Sequence, residues 1–354
     1  MIPVPEPRFG VWAVVHGGWA TFHHPDDPFD ASWERNKQLI LEAEALGFDS
    51  TLVAQHTINP TGDQYEQLDA WTASAALAAL TDRIEIITAI KPYLYHPVVL
   101  AKQALQIEDI SAGRFAINLV NAWYRPELER AGIGFAEHDE RYAYGREWIT
   151  IVHELISGRR TSFDGKYFHV DDYELHPGSR SRERPTIYVG GESAPARDLV
   201  ADKADVWFIN GQPLDVVRGL IDDVAARPRS GEPVRFGLSA FVIARETEAE
   251  AQDVLAYFWE LVAKDKPELE RVFANADPKA VMFQTFEKYP HIGTNGGTAA
   301  GLVGSYDQVA ERVREFSELG IETFMLQFQP FEAEMRRFAH EVIPRVRRLS
   351  VAAA

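Results

Sequence analysis

A strand-like run, Ile187-Tyr188-Val189, ends in Gly190-Gly191-Glu192-Ser193 and passes directly into Ala194-Pro195-Ala196-Arg197. Two glycines let the backbone turn tightly, and a helix can begin at the serine. The first N–H groups of a helix have no partner inside it, and the dipole is positive at that end. A phosphate could therefore sit at Gly191 and Ser193, with the Ser193 hydroxyl as an added donor. A plain strand-to-helix turn with a serine cap would read the same way. The turn is neither GxxxxGK[ST] nor GxGxxG, which speaks against nucleoside triphosphate chemistry. In His138-Asp139-Glu140-Arg141-Tyr142, Arg141 offers a forked phosphate contact and Tyr142 a ring with a hydroxyl. The same residues also fit a helix start with a solvated arginine.

Other candidates stand at strand ends. Asn118 closes Phe115-Ala116-Ile117-Asn118, where an amide could address the edge of a ring. Glu127, not far beyond, could hold a ligand hydroxyl or a loop. Gln55 and His56 follow the run Leu52-Val53-Ala54, and His56 could be an acid, a base or a structural histidine. Lys91 follows Ile84–Ile90 and could meet a substrate oxygen or simply reach solvent. His16, His23 and His24 with Asp26 and Asp27 invite a metal reading. Adjacent histidines in a polar loop, however, lack the spacing that aims two ligands at one ion, so no metal is expected. No G-x-S-x-G elbow occurs, which speaks against a serine hydrolase.

These residues must be held by a framework that 354 residues, 46% of them hydrophobic, can supply. A net charge of -17 argues against nucleic acid or an anionic membrane as partner. The absence of cysteine rules out disulfides, thiolate nucleophiles and thiolate-held metals. The opening MIPVPEPRFG has no basic or apolar leader region, and no apolar run reaches the roughly 18 residues of a membrane span. A cytoplasmic protein is expected.

Strand-like runs cover Phe9–Val15, Ser50–Ala54, Ile84–Ile90, Arg114–Val120, Thr186–Val189, Val206–Ile209, Val234–Ala244 and Thr323–Phe328. Helical patterns lie between them, among them Trp33–Leu46, Ala70–Leu80, Pro97–Ile110, Glu140–Leu155, Ala194–Ala201, Leu214–Ala225 and Tyr306–Leu319, with Glu332–Leu349 at the end. Ser305 followed by Gln308 predicts a capping box, and Pro97 suits a first helical turn. The alternation predicts an α/β fold, a single (β/α)8 TIM barrel over 1–354, with an open doubly wound sheet as the rival. Insertions fall at His16–Asp30, Thr57–Gln67, Asn121–Asp139, Gly158–Arg184 and Lys264–Gly301; all but the fourth are expected on the C-terminal face. The fourth carries a small hairpin, Thr161–Val170, with an Asp-Gly turn.

Further stretches carry a resemblance: Ile84–Ile90, Pro97–Gln103, Ile107–Asn118, His138–Tyr142, Gly304–Arg312 and Leu319-Gly320-Ile321. In this order, from Phe9 to Val346, they resemble the bacterial-luciferase-like flavin monooxygenases. Phe163–Phe168, Gly190–Ser193 with Ala196-Arg197-Asp198, and Ala240–Thr247 look like the dimethyl-sulfone monooxygenases within that family; pyrimidine monooxygenases match more loosely. The resemblance implies FMN, used as FMNH2, with contacts from Gln55, His56, Asn118, Glu127, Arg141, Tyr142, Gly191 and Ser193. It implies a catalytic part for Lys91, His56 and Asn118, and a separate NAD(P)H:FMN reductase that supplies the reduced flavin. O2, a small-molecule substrate and a homo-oligomer, dimer or tetramer, complete the implied partners.

Departures shape the expected substrate. Where alkanesulfonate monooxygenases carry polar sulfonate contacts, this chain has Ser239, Phe241, Asn295 and Gln329. An anion stripped of its buried cations loses several kcal/mol of compensation. The expectation is a small neutral organosulfur compound cleaved at C–S, in a pocket rich in Trp12, Trp19, Trp123, Tyr93, Tyr95, Phe241 and Phe328. The Lys264–Gly301 segment, with Gly293, Gly296 and Gly297, is expected to act as a lid that orders on binding. The alternatives are a heterocyclic or halogenated ring or an alkanesulfonate under the same chemistry, a deazaflavin-dependent dehydrogenase, or a non-catalytic flavin-binding protein.

Overall fold

The computed structural model describes residues 6–353. The leader reading falls partly on residues 1–5, outside the described residues. Eight parallel strands close a barrel: β1 (Arg8–Trp12), β2 (Ser50–Val53), β3 (Glu85–Ile90), β4 (Phe115–Leu119), β7 (Thr186–Gly190), β8 (Val206–Ile209), β9 (Arg235–Phe241) and β12 (Ile321–Gln327). β5 (Thr161–Asp164) and β6 (His169–Tyr173) form the expected hairpin, while β10 (Ile243–Arg245) and β11 (Val303–Ser305) form a small parallel pair outside the barrel. The barrel strands are apolar runs because both of their faces are covered, by the barrel interior on one side and helices on the other. β1 pairs with both β2 and β12, which shuts the ring and excludes an open sheet.

The outer helices are α1 (Trp33–Ala45), α2 (Ala70–Leu80), α3 (Pro97–Ile110), α5 (His138–Ile156), α6 (Ala194–Lys203), α7 (Leu214–Ala225), α11 (Tyr306–Glu318), α12 (Phe331–Arg337) and α13 (Ile343–Ala353). Insertions add α4 (Arg125–Arg130), α8 (Glu248–Lys264), α9 (Lys266–Asn275) and α10 (Val281–Lys288). Pro97 opens α3, and Ser305 and Gln308 make the reciprocal capping box at α11. Among the described residues no helix is long and apolar enough to cross a membrane.

Two expectations need correction, and a third segment gains detail. The single run Val234–Ala244 breaks at Val242, whose N–H bonds Gln327 O, and the chain then leaves the barrel to pair with Val303–Ser305. The hairpin turn is not an Asp-Gly pair: Asp164 ends its strand opposite His169, and Gly165 N–H closes on Phe168 O. The proposed lid is largely helical, because Leu269, Val272 and Phe273 recur at helical spacing, as do Met282, Phe283 and Phe286. Its glycines serve packing. A Cβ on Gly296 would lie 1.9 Å from Gly211 O, so this loop rests backbone against backbone on the one following β8.

Candidate active site

Side chains alternate along a strand, so positions two apart share a face. At the C-terminal ends of the first four strands the inward positions are Trp12, then Leu52 and Ala54, then Ala89 and Lys91, then Asn118 and Val120. Together they floor a cavity of about 230 Å³. The insertions wall it: His16 and Trp19 from the first, Thr61 from the second, Trp123 from the third. The last insertion contributes Leu269, Val272 and Phe273 from α9 and Met282, Phe283 and Phe286 from α10. Of the expected aromatic surroundings only Trp12, Trp19 and Trp123 line it. Tyr93 stacks on Tyr144 at 4.1 Å, Tyr95 packs near Trp71, Phe241 on Phe258 and Phe328 on Phe331.

Lys91 does not reach solvent. It is 2% exposed and pairs with Glu127, while its ammonium also lies 2.8 Å from His56 Nδ1. Glu127 is held from the other side by Thr57, whose N–H donates to Oε1 at 2.6 Å. Burial alone would raise the Glu127 carboxyl; the Lys91 ammonium and His56 together outweigh it and hold it well below the usual carboxylate range. Burial, joined by Lys91, depresses His56 to about 4. Burial, joined by His56, depresses His16 to about 3. Near neutrality both rings are uncharged and the single lining cation is matched by a carboxylate. Glu127 is not itself a lining residue; it sits behind Lys91 and His56 and fixes them.

Several buried atoms at the cavity have no protein partner: Asn118 Oδ1, Gln55 Oε1, Trp12 Nε1 and His16 Nδ1. Native interiors rarely leave such atoms unsatisfied, so a set of them facing one cavity points to a polar ligand. Gln329 and Asn295 are placed differently from each other. Gln329 is fully engaged with Thr21, whereas Asn295 lines the cavity.

The expected phosphate residues also converge. Ser193 caps α6 with Tyr142 close by, and Gly191 has φ +108°, with Tyr142 Oη 3.0 Å from where a Cβ would lie. Pro195 carries no N–H and Ala196 N–H bonds Ser193 Oγ, which leaves Ala194 N–H in the first turn for a ligand. Gly190 links the two halves of the site: a Cβ there would lie 3.9 Å from Asn118 Oδ1. Arg141 is buried beside this cradle, but its guanidinium pairs with Asp277 and donates to Ala136 O at 2.7 Å; its Nε has no partner. Two carboxylates escaped the sequence reading. Glu192 accepts from Asn210 N–H at 2.7 Å and Gln212 at 3.0 Å, and burial pushes it up to about 7. An acidic residue inside the glycine–serine turn was an available signal for it. Nothing in the sequence marks Asp277.

The luciferase-like monooxygenase family model matches residues 8–323. The chain belongs to that family. An FMNH2-dependent dimethylsulfone monooxygenase of Pseudomonas putida is 33% identical over 331 residues, 90% of each chain. One from Pseudomonas fluorescens is 31% identical, covering 98% of this chain and 96% of its own. A long-chain alkane monooxygenase structure superposes with TM-score 0.78 at 18% identity, covering 97% of this chain and 91% of that one. This last likeness concerns the barrel alone. The Gly191–Ser193 turn follows β7 and the cavity lies over β1–β4, both at one barrel mouth.

Proposed function

We propose that this chain is the oxygenase component of a two-component FMNH2-dependent monooxygenase acting on a small neutral sulfone with C–S cleavage. The observation that carries the substrate class is the charge balance of the cavity: Lys91 is matched by Glu127, and His16 and His56 are neutral. A sulfonate would bring in a permanent charge with no free cation to meet it. A sulfonyl group brings acceptors only, which suit the Lys91 ammonium and the unpartnered Trp12 Nε1 donor. The names of the two Pseudomonas relatives support the same substrate type and the same cofactor.

The residues fit FMN. Ser193, Tyr142, Gly191 and Arg141 would hold its phosphate, and Gln55, His56 and Asn118 its ring system. Reduced FMN, when bound, supplies the electrons and the activation of O2. The chain's own part is to fix the phosphate, orient the ring against the β1–β4 floor and exclude water with the α9–α10 wall. The reduced flavin would come from a separate NAD(P)H:FMN reductase, in keeping with the relatives' use of FMNH2.

The test supplies the protein with FMN, NADH and a generic flavin reductase. Oxygen-dependent loss of dialkyl sulfones is expected, with alkanesulfonates left intact. Peroxide release without loss of any sulfone would overturn the reading. Ser193→Ala and Arg141→Ala should each weaken FMN binding by about 1–3 kcal/mol through lost hydrogen bonds to a dianion; equilibrium titration reads this. Gly191→Ala should weaken it as well, by about 1–3 kcal/mol, because a side chain at φ +108° is strained and crowds Tyr142.

A further inference from the structure

Glu192 stands between Gly191 and Ser193, and it is buried, 5% exposed. Glu127 and Asp277 are buried to a similar degree, and each holds a cation. Among the described residues Glu192 pairs with none. Arg197, one turn along α6, acts on it from a distance, with its Nε directed at Asp223, 3.3 Å away. From α5 the Tyr142 hydroxyl faces the same turn, 3.0 Å from where a Cβ on Gly191 would lie. The loop after β8 offers only neutral groups: Asn210 N–H donates to one carboxyl oxygen at 2.7 Å and the Gln212 amide to the other at 3.0 Å. These partners suit either protonation state. Asn210 N–H is a fixed donor, while the Gln212 amide donates to a carboxylate and, turned over, accepts from a carboxylic acid. The same loop reaches the cavity, because Gly211 N–H bonds the carbonyl of Asn295, a lining residue, at 2.8 Å. A second tie holds the turn to β8: Trp207 Nε1 donates to Gly191 O at 2.9 Å.

We infer that Glu192 is a positioning residue that takes up one proton from solvent when the flavin phosphate binds, and in its neutral form holds the phosphate turn against the loop after β8. This rests on the phosphate site assigned above. A dianion at Ser193 would stand one residue from an uncompensated buried carboxylate, and buried like charges repel with little screening. A proton on Glu192 removes that repulsion without breaking either bond to the loop. The proton is taken up easily, because burial has already pushed the carboxyl up to about 7. Above that pH the free chain carries Glu192 ionised and the bound chain carries it protonated, so FMN binding weakens as pH rises. The phosphate itself is already a dianion in that range.

Oxidised FMN and riboflavin, which lacks the phosphate, are the probes. FMN affinity of the unaltered chain should fall at least about threefold between pH 7 and 8.5. Riboflavin affinity should stay level across the same range. Calorimetry at pH 7.5 in two buffers of different ionisation heat should show proton uptake with FMN and none with riboflavin, a measurement that needs no variant. Glu192→Gln imitates the neutral carboxyl: its FMN affinity should be level with pH, without proton uptake, and at pH 8.5 tighter than that of the unaltered chain. A mere structural prop would weaken binding at every pH. The inference is overturned by FMN binding without proton uptake, by an equal pH slope for riboflavin, or by a slope that persists in Glu192→Gln. Riboflavin bound as tightly as FMN would instead remove the phosphate site itself.

Discussion

Lys91→Met is expected to lower the unfolding free energy by about 3–5 kcal/mol, because it strands a buried carboxylate without its cation. Glu127 is wholly buried on its side chain, and Thr57 and an uncharged His56 at 3.4 Å do not neutralise it. Replacing both partners should be far milder. In Lys91→Met/Glu127→Gln the amide oxygen can still accept from Thr57 N–H, and no charge remains to be compensated. Most of the lost stability should return, yet substrate oxidation should stay slow because the ammonium proposed to meet a substrate oxygen is gone. Denaturant unfolding reads the first quantity and single-turnover oxidation the second. A cost below about 1 kcal/mol for Lys91→Met would mean that the pair is not a shielded ion pair at all.

Acidification should unfold the protein more steeply than its carboxylates alone would cause. His16 and His56 ionise in the fold at about 3 and about 4, against 6.5 in an ordinary environment. Between pH 6.5 and 4 the unfolded chain binds protons at these rings and the folded chain does not, so stability falls with pH across that window. Each histidine contributes a slope of about 1.4 kcal/mol per pH unit. Burial depresses His291 and acts in the same direction. Glu192 opposes them. Its carboxyl is raised from 4.5 to about 7, so between those values the folded state binds the extra proton and gains stability as pH falls. The net decline should therefore steepen below about pH 4.5, where Glu192 no longer offsets and Glu127 begins to lose its contribution. Urea unfolding of His56→Gln should show a shallower pH dependence than the parent chain. Equal slopes in the two would remove His56 from the account.

The barrel was legible because local and global signals agree in it. Apolar runs alternate with helices that start at Ser305 or Pro97, and covering both faces of each strand is what makes those runs unbroken. The approach of Tyr142 to Gly191 and Ser193 was legible in part, since Gly191 and Ser193 lie two apart in sequence and Tyr142 was reached through the family resemblance. The partners were not. Lys91 meets Glu127 across 36 residues and Arg141 meets Asp277 across 136, and only the closed ring and the docked insertion bring them together. The helices of the insertion were missed because Gly293, Gly296 and Gly297 drew attention to its end, whereas Leu269, Val272 and Phe273 set its structure. Tyr93, Tyr95, Phe241 and Phe328 misled for a related reason: an aromatic near a strand end can face the outer helices or a second core as readily as the barrel mouth.

The cavity floor on β1–β4 and the turn at Gly191 and Ser193 after β7 stand on neighbouring arcs of one ring, since β4 pairs with β7. Leu52, Ala54, Ala89 and Val120 border the guest on strands that contribute nothing to Gly191 or Ser193. Selection, or an engineer, can therefore reshape what is oxidised from strands that do not carry the turn after β7. Variants at these four positions should trade one guest for another, and any change in flavin affinity should come through the ring that would rest on this floor and not through its phosphate.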